Sequence, residues 1–198
     1  MANSIAFTAV ANDHDLIRQV AAGNERAFDE LYQGYSLPIF NYILRLVHEP
    51  SVAEELLQEV FLAVWQGAGR FREQATVKTW LLHIAHNQSV SWLRRNRKVS
   101  ALDDLIEVAA DDQIEEQVAR AWHVDQVYLT LDRLSPKHRA VVELAFVHQL
   151  SYTEIAQVLS CPIGTVKSRM SYALRHLASL LKEIETEGQD EKVWRNDV

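Results

Sequence analysis

Two histidines, His83 and His86, stand three apart and would share one face of a helix. A zinc centre needs at least a third protein ligand. None stands nearby, so no metal is expected. The single cysteine, Cys161, excludes an internal disulfide and a thiolate cluster within the chain, which fits a reducing compartment and a small buried side chain. The sequence contains no glycine-rich phosphate loop, no His-Glu metal motif and no nucleophile motif. Neither catalysis nor a cofactor is expected. What remains is binding chemistry, and its densest cluster is "GTVKSRMSYALR", where Thr165, Lys167, Ser168, Arg169, Tyr172 and Arg175 mix hydroxyls with cations. On a helix, such a surface can meet the donor and acceptor edges of a DNA major groove.

A second element must hold that helix. Ser151 and Glu154 form the S-x-x-E pattern of a capping box, opening a short helix whose apolar members are Ile155, Ala156 and Leu159. Ala156 is small enough to let a second helix cross closely, as a helix-turn-helix requires. In that second helix Ile163, Val166, Met170, Ala173, Leu174 and Leu177 are expected to face inward. Upstream, Val124, Val127, Tyr128, Leu131 and Leu134 mark another helix face, and Ser135-Pro136 reads as an N-cap followed by proline at the first helical position.

The first half of the chain is also helical. Phe28, Leu31, Tyr32 and Tyr35 fall at helical spacing, Pro38 is expected to interrupt, and Ile39, Tyr42, Ile43 and Leu46 resume the stripe. A third helix follows Pro50 with Ala53, Leu56, Leu57, Val60, Phe61 and Val64 on one face. The stretch "GAGRFREQAT" reads as a loop, and Trp80, Leu81, Ile84, Ala85, Trp92 and Leu93 mark a fourth helix ending in "RRNRK". No alternating strand pattern appears. The expectation is an all-α chain of two small helical domains.

Charge divides the same way. The 198 residues carry a net charge of −7, which argues against an indiscriminate nucleic-acid binder. Yet Arg70 to Lys98 holds seven Lys/Arg and one acid, and Ser135 to Lys182 holds six against two. The acids gather at Glu49, Glu54, Glu55 and Glu59, and again as seven carboxylates between Asp103 and Glu116. Segregated blocks point to different partners for different segments. The second acidic block reads as a linker. No apolar run is long enough to span a membrane, and "MANSIAFTAVANDHD" lacks the charged start and apolar core of a signal peptide, so a cytoplasmic location is expected.

The text "LSPKHRAVVELAFVHQLSYTEIAQVLSCPIGTVKSRMSYAL" resembles the C-terminal promoter-reading region of bacterial RNA polymerase sigma factors, especially the two-domain extracytoplasmic-function (ECF) group. "GNERAFDELYQGY", "AEELLQEVFLAVW", "FREQATVKTWLLHIAHN" and "WLRR" resemble, in order, motifs of that family's N-terminal domain. The likeness runs from about residue 15 to 182. It implies an N-terminal segment 1–14 without order, a region 2-like core-binding and melting domain over 15–99, and a flexible linker over 100–117. A region 4-like helix-turn-helix domain over 118–183 and a tail over 184–198 complete the expected organisation.

The resemblance assigns roles to residues that composition left open. In the family, the "LLQEVF" helix docks on a coiled coil of the polymerase clamp, which points to Glu55, Gln58, Glu59 and Phe61; Phe61 is equally placed to be core. The loop resembles the element that captures an unstacked base of the minus-10 sequence. That implicates Phe71, Arg72, Gln74, Thr76 and Lys78, with Asn87, Trp92, Arg94 and Arg95 along the following helix, while Trp80 reads as core. Thr165, Lys167, Ser168, Arg169, Tyr172 and Arg175 would read the minus-35 element. The implied partners are core RNA polymerase, promoter DNA and an anti-sigma factor, which can hold such a protein at the inner membrane.

This sequence departs from the family pattern in places. Glu73-Gln74 stand where Gly-Asp is common, Ser89-Val90-Ser91 where Ala-Ile-Asp is common, and Ser160 at the usual glycine of the helix-turn-helix. Two rival readings share part of the evidence. A stand-alone repressor would use the helix-turn-helix but leave "LLQEVF" unexplained. An interaction adaptor with degenerate modules would bind DNA weakly or without salt dependence.

Overall fold

A computed structural model describes residues 13–96, 131 and 133–194, with side chains through residue 180. Among these residues the chain is helical and contains no strand. Four α-helices form the first module: α1 (Asp13–Ala21), α2 (Glu25–Val47), α3 (Pro50–Gly67) and α4 (Val77–Asn96). The second contains α5 (Pro136–Val142), a π-helical turn at Glu143–Val147, α6 (Tyr152–Val158) and α7 (Ile163–Trp194).

The count of four in the first module agrees with the expectation, but the partition does not. Helix α1 buries Leu16, Ile17 and Val20 at i, i+1 and i+4, but at nine residues it is shorter than the window in which helical periodicity stands out. Helix α2 runs unbroken through Pro38. Proline removes one backbone donor and crowds the carbonyl four residues back. That position is Gly34, where no side chain adds to the crowding, and Tyr35, Pro38, Ile39 and Tyr42 are all buried around the missing bond. Packing therefore outweighs a local cost of about 3 kcal/mol. Asn24 starts α2 by accepting hydrogen bonds from the backbone N–H groups of Arg26 at 3.0 Å and Ala27 at 3.3 Å. His48 ends it in a left-handed conformation, φ 60°.

Helix α3 begins with Pro50 at the first helical position and buries Val52, Ala53, Leu56, Leu57, Val60, Phe61 and Val64. Helix α4 opposes it with Val77, Leu81, Leu82 and Ala85. The buried Ser89 hydroxyl donates to the Ala85 carbonyl at 2.8 Å, so no polar atom is stranded there.

In the second module the capping box is present. Ser151 Oγ accepts from the Glu154 backbone N–H, and the Glu154 carboxylate accepts from the Ser151 backbone N–H at 2.9 Å. Ser135 does occupy the N-cap position of α5, but its hydroxyl does not cap; it bonds His138 Nδ1 at 2.9 Å instead. Ile163 is 44 % exposed, contrary to the inward expectation, whereas Val166, Met170, Ala173, Leu174 and Leu177 are buried. As the first residue of α7, it projects toward the N-terminal end, past the packed face. The same helix continues to Trp194, through most of the expected tail, where "KEIETEGQDEK" is rich in helix formers. Val124, Val127, Tyr128 and the seven linker carboxylates lie outside the described residues.

The two modules touch. Arg45 on α2 donates to both carboxylate oxygens of Glu143, each at 2.7 Å, and Glu143 is only 1 % exposed. The π-turn that starts at Glu143 carries its backbone bond five residues on, from the His148 N–H to the Glu143 carbonyl at 3.0 Å. Arg139 reinforces the junction, donating to the carbonyls of Leu131, Leu134 and Arg45 and contacting His48. Because a buried ion pair needs further hydrogen bonds to offset its desolvation, this cluster behaves as a unit.

Candidate nucleic-acid interface

The loop between α3 and α4 is short and internally braced. A 3-10 turn over Ala68–Arg70 leads to Phe71, whose ring lies 5.0 Å from that of Trp80 at a tilt of 43°. Trp80 is half-buried and packs against the core, and its ring passes 3.7 Å from where a side chain on Gly67 would begin. Glu73 holds a left-handed backbone, φ 55°, which explains why glycine suits this position. Its carboxylate faces Arg18 at 3.8 Å and His14 at 3.6 Å, so α1 steadies the loop. Thr76 starts α4 by accepting from the Thr79 N–H at 3.1 Å.

These elements surround a cavity of about 280 Å³ whose lining includes Arg70, Phe71, Arg72, Gln74, Trp80 and His83. Aromatic faces, two guanidinium groups and a carboxamide suit a flat, hydrogen-bonding, negatively tethered group such as an unstacked nucleotide. Of the candidates for the melted strand, Phe71, Arg72 and Gln74 line this cavity. Thr76 serves as the α4 cap. Asn87, Trp92, Arg94 and Arg95 extend along α4, the two arginines exposed. Gln157, on α6 in the other module, also lines the cavity, and nothing in its local pattern marks it.

Lys78 is engaged elsewhere. Its ammonium donates to the His148 carbonyl of the second module, and burial lowers its pKa while Glu154 opposes the shift. His83 Nδ1 lies 3.0 Å from the Val158 carbonyl and its Nε2 lies 3.0 Å from Asn87 Nδ2. The ring therefore donates through Nδ1 and accepts through Nε2. His86 turns to the Tyr42 hydroxyl at 2.9 Å. The two histidines thus serve separate hydrogen bonds. Burial, then the charges of His83 and Arg169, depress the His86 pKa to about 4, and burial, Lys78 and Arg45 depress that of His148 to about 3.

On α7 the outward set is uneven. Lys167 is exposed, whereas Thr165, Ser168, Arg169, Tyr172 and Arg175 are half-buried. Ser168 donates to the Thr165 carbonyl at 3.1 Å, and Arg175 Nε to the Ser171 carbonyl at 3.2 Å. Tyr172 stacks on His138 with centroids 4.3 Å apart. Ser160, in the turn, has φ 50°.

On α3, Glu55 and Gln58 are exposed and Glu59 half-exposed. Phe61 is 3 % exposed and packs edge-on against Phe28. The apolar residue presented outward is Leu62, at 56 %, a position hidden from sequence reasoning because it falls off the apolar stripe.

Comparison with known proteins matches residues 31–99 to Sigma-70 region 2 and residues 125–177 to Sigma-70, region 4. The RNA polymerase sigma-H factor of Pseudomonas aeruginosa is 32% identical over 183 residues, covering 87% of this chain and 95% of the relative. The ECF RNA polymerase sigma factor SigK of a Mycobacterium species is 31% identical over 183 residues, covering 87% and 92%. In fold, the chain is similar to the sigma factor RpoE of Bartonella quintana, solved in complex with the anti-sigma factor NepR. That likeness has a TM-score of 0.60 and 24% identity, covering 78% of this chain and 96% of that one.

Proposed function

The chain belongs to the sigma-70 family of RNA polymerase sigma factors, in its ECF group, and from that premise we propose how its surfaces divide the work of initiation. Sigma factors recognise DNA for a polymerase and are not themselves catalysts. The outer face of α3, with Glu55, Gln58 and Glu59 around the exposed Leu62, docks on core polymerase. An acidic helix edge with one apolar anchor fits a basic, partly apolar partner surface. Phe61 supports that face from beneath, through its rings' contact with Phe28 and Tyr32.

The cavity beside Phe71 and Trp80 carries the reading of strand opening. It receives a non-template base of the minus-10 element, with Phe71 stacking, Arg72 neutralising phosphate and Gln74 bonding a base edge. Arg94 and Arg95 follow the strand along α4, with Asn87 and Trp92 beside them. The exposed face of α7 reads the minus-35 element: Lys167 and Arg169 meet phosphates and a guanine edge, while Thr165, Ser168, Tyr172 and Arg175 shape the contact. The boundaries 15–99 and 118–183 serve as the two working domains, joined by the acidic linker. A protein similar in fold is held by an anti-sigma factor, and the same form of control is proposed here. No helix among the described residues is long and apolar enough to cross a membrane.

Pull-down with core polymerase followed by run-off transcription tests the whole. Stable association and promoter-dependent transcripts are expected. DNA binding without polymerase association would favour a stand-alone repressor.

A further inference from the structure

From Arg70 to Ala75 every residue lines the cavity beside Phe71 and Trp80 except Glu73. Glu73 is also the loop residue with a left-handed backbone, φ 55°. The chain turns there, so that Arg72 and Gln74 face the cavity together while the Glu73 carboxylate reaches α1, meeting Arg18 Nε at 3.8 Å and His14 Nδ1 at 3.6 Å. Asp15 holds the same guanidinium through Nη2 at 2.7 Å, which fixes the Arg18 side chain between its own helix and the loop. The His14 ring reaches the loop as well, its centroid 5.6 Å from that of Phe71. Helix α1 is itself pinned. Asp13 accepts a hydrogen bond from the Tyr35 hydroxyl of α2, and Leu16, Ile17 and Val20 are buried.

A residue with a side chain disfavours the left-handed backbone about tenfold. Glycine, common in the family at this position, adopts such a turn freely but leaves it as readily. Glutamate needs help to hold it, and each exposed ion pair shifts an equilibrium of this kind about two- to fivefold. Two such contacts together are of the size that the backbone preference requires. We propose that α1 is a positioning element for strand opening: through Arg18 and His14 it holds Glu73 in the turned conformation, and so sets Arg72 and Gln74 in place before the base arrives. This rests on the base-capture role given to the cavity under Proposed function. Arg18, His14 and Glu73 do not touch the base; they act through Phe71, Arg72 and Gln74. A preformed loop has less freedom to lose when a nucleotide enters. The benefit therefore falls on the step in which the strand opens, and not on the closed complex, where the base is still stacked.

The test uses holoenzyme assembled from the full-length chain and core polymerase, on a promoter that the wild-type holoenzyme selects from randomised DNA. Permanganate reactivity followed over time at several holoenzyme concentrations separates the affinity of the closed complex from the rate of opening. Glu73→Gln, Arg18→Ala and His14→Ala should each slow opening about threefold or more and leave closed-complex affinity unchanged. The Arg18 and Glu73 side chains are 65% and 49% exposed, so these changes spare the core, and circular dichroism checks the fold. In the Glu73→Gln background Arg18→Ala should slow nothing further, because its partner is already gone. Wild-type opening rates in the single variants would overturn the tether. Further slowing in the double variant would also overturn it, making Arg18 a contact to DNA instead. Joint replacement of Phe71 and Gln74 by alanine is the reference. If that protein opens the promoter normally, the base-capture reading fails and the tether with it; if it is slowed while the α1 and Glu73 variants are not, the tether alone fails.

Discussion

Ser160 turns the chain from α6 into α7 with φ 50°, in the place where the family commonly has glycine. A left-handed backbone costs a residue with a side chain about 1–2 kcal/mol. Glycine removes that cost but has more freedom to lose on folding, about 0.5–1 kcal/mol. The Ser160 side chain is exposed and makes no hydrogen bond among the described residues, so it returns nothing. Its backbone N–H bond to the Gln157 carbonyl, 3.3 Å, does not depend on the side chain. The net expectation for Ser160→Gly is stabilisation by about 0.5–1 kcal/mol, a rise of about 1–4 °C in melting temperature for a chain of this size. Ser160→Ala is the control, since it deletes the hydroxyl and keeps the Cβ. Thermal melts followed by circular dichroism, run in parallel on the three proteins, suffice. If Ser160→Gly melts no higher than Ser160→Ala, backbone strain at this turn is not what distinguishes glycine here.

Arg169→Ala should weaken upstream-element recognition by the holoenzyme by about 1–3 kcal/mol while leaving polymerase binding unchanged, as a gel shift against a scrambled element would read. Replacing Phe71, Gln74 and Thr76 together should preserve the closed promoter complex and suppress permanganate-reactive thymines in the bubble; normal reactivity would contradict base capture. Acid should destabilise the fold. His86 and His148 stay neutral in the folded chain down to about pH 4 and about pH 3, whereas unfolded imidazoles protonate near 6.5. The unfolded state therefore binds more protons below about pH 6.5, and stability falls as pH drops through that window. At pH 5.5 the loss is about 1 kcal/mol per ring, visible as a lower melting temperature than at pH 7.5, and His86→Gln should reduce it.

Local signals carried most of what the sequence made legible. The capping box from Ser151 to Glu154 spans four contiguous residues and needs nothing distant, so it could be read directly. The apolar stripe of α3 was equally plain: the six residues read from the spacing, Ala53, Leu56, Leu57, Val60, Phe61 and Val64, are all buried, and only Val52 joins them unannounced. Pro38 misled for the opposite reason: its local preference is to break a helix, and only the burial of its neighbours overrides it. Ser135 has the right residue type for a cap, yet a nearby imidazole competes for the hydroxyl. The cavity beside Phe71 was half visible, since its near wall is contiguous in sequence and its far wall, Gln157, comes from the other module. Contacts such as Arg45 with Glu143 leave no periodic trace at all, because each partner alone looks like an ordinary surface charge.

Helix α4 has unusually few positions left to itself. Val77, Leu81, Leu82, Ala85 and Ser89 are buried in the first module, Lys78 and His83 bond the second, and Asn87, Arg94 and Arg95 are the exposed positions proposed above to meet nucleic acid. A residue serving one partner can drift when a neighbour compensates, but a residue whose backbone turn is shared among three must satisfy all of them at once. In a saturation library selected for transcription, tolerated substitutions along Val77–Asn96 should accordingly be sparse, whereas the exposed side of α2 at Gln33 and Leu37, which meets neither module, should accept nearly any helix former.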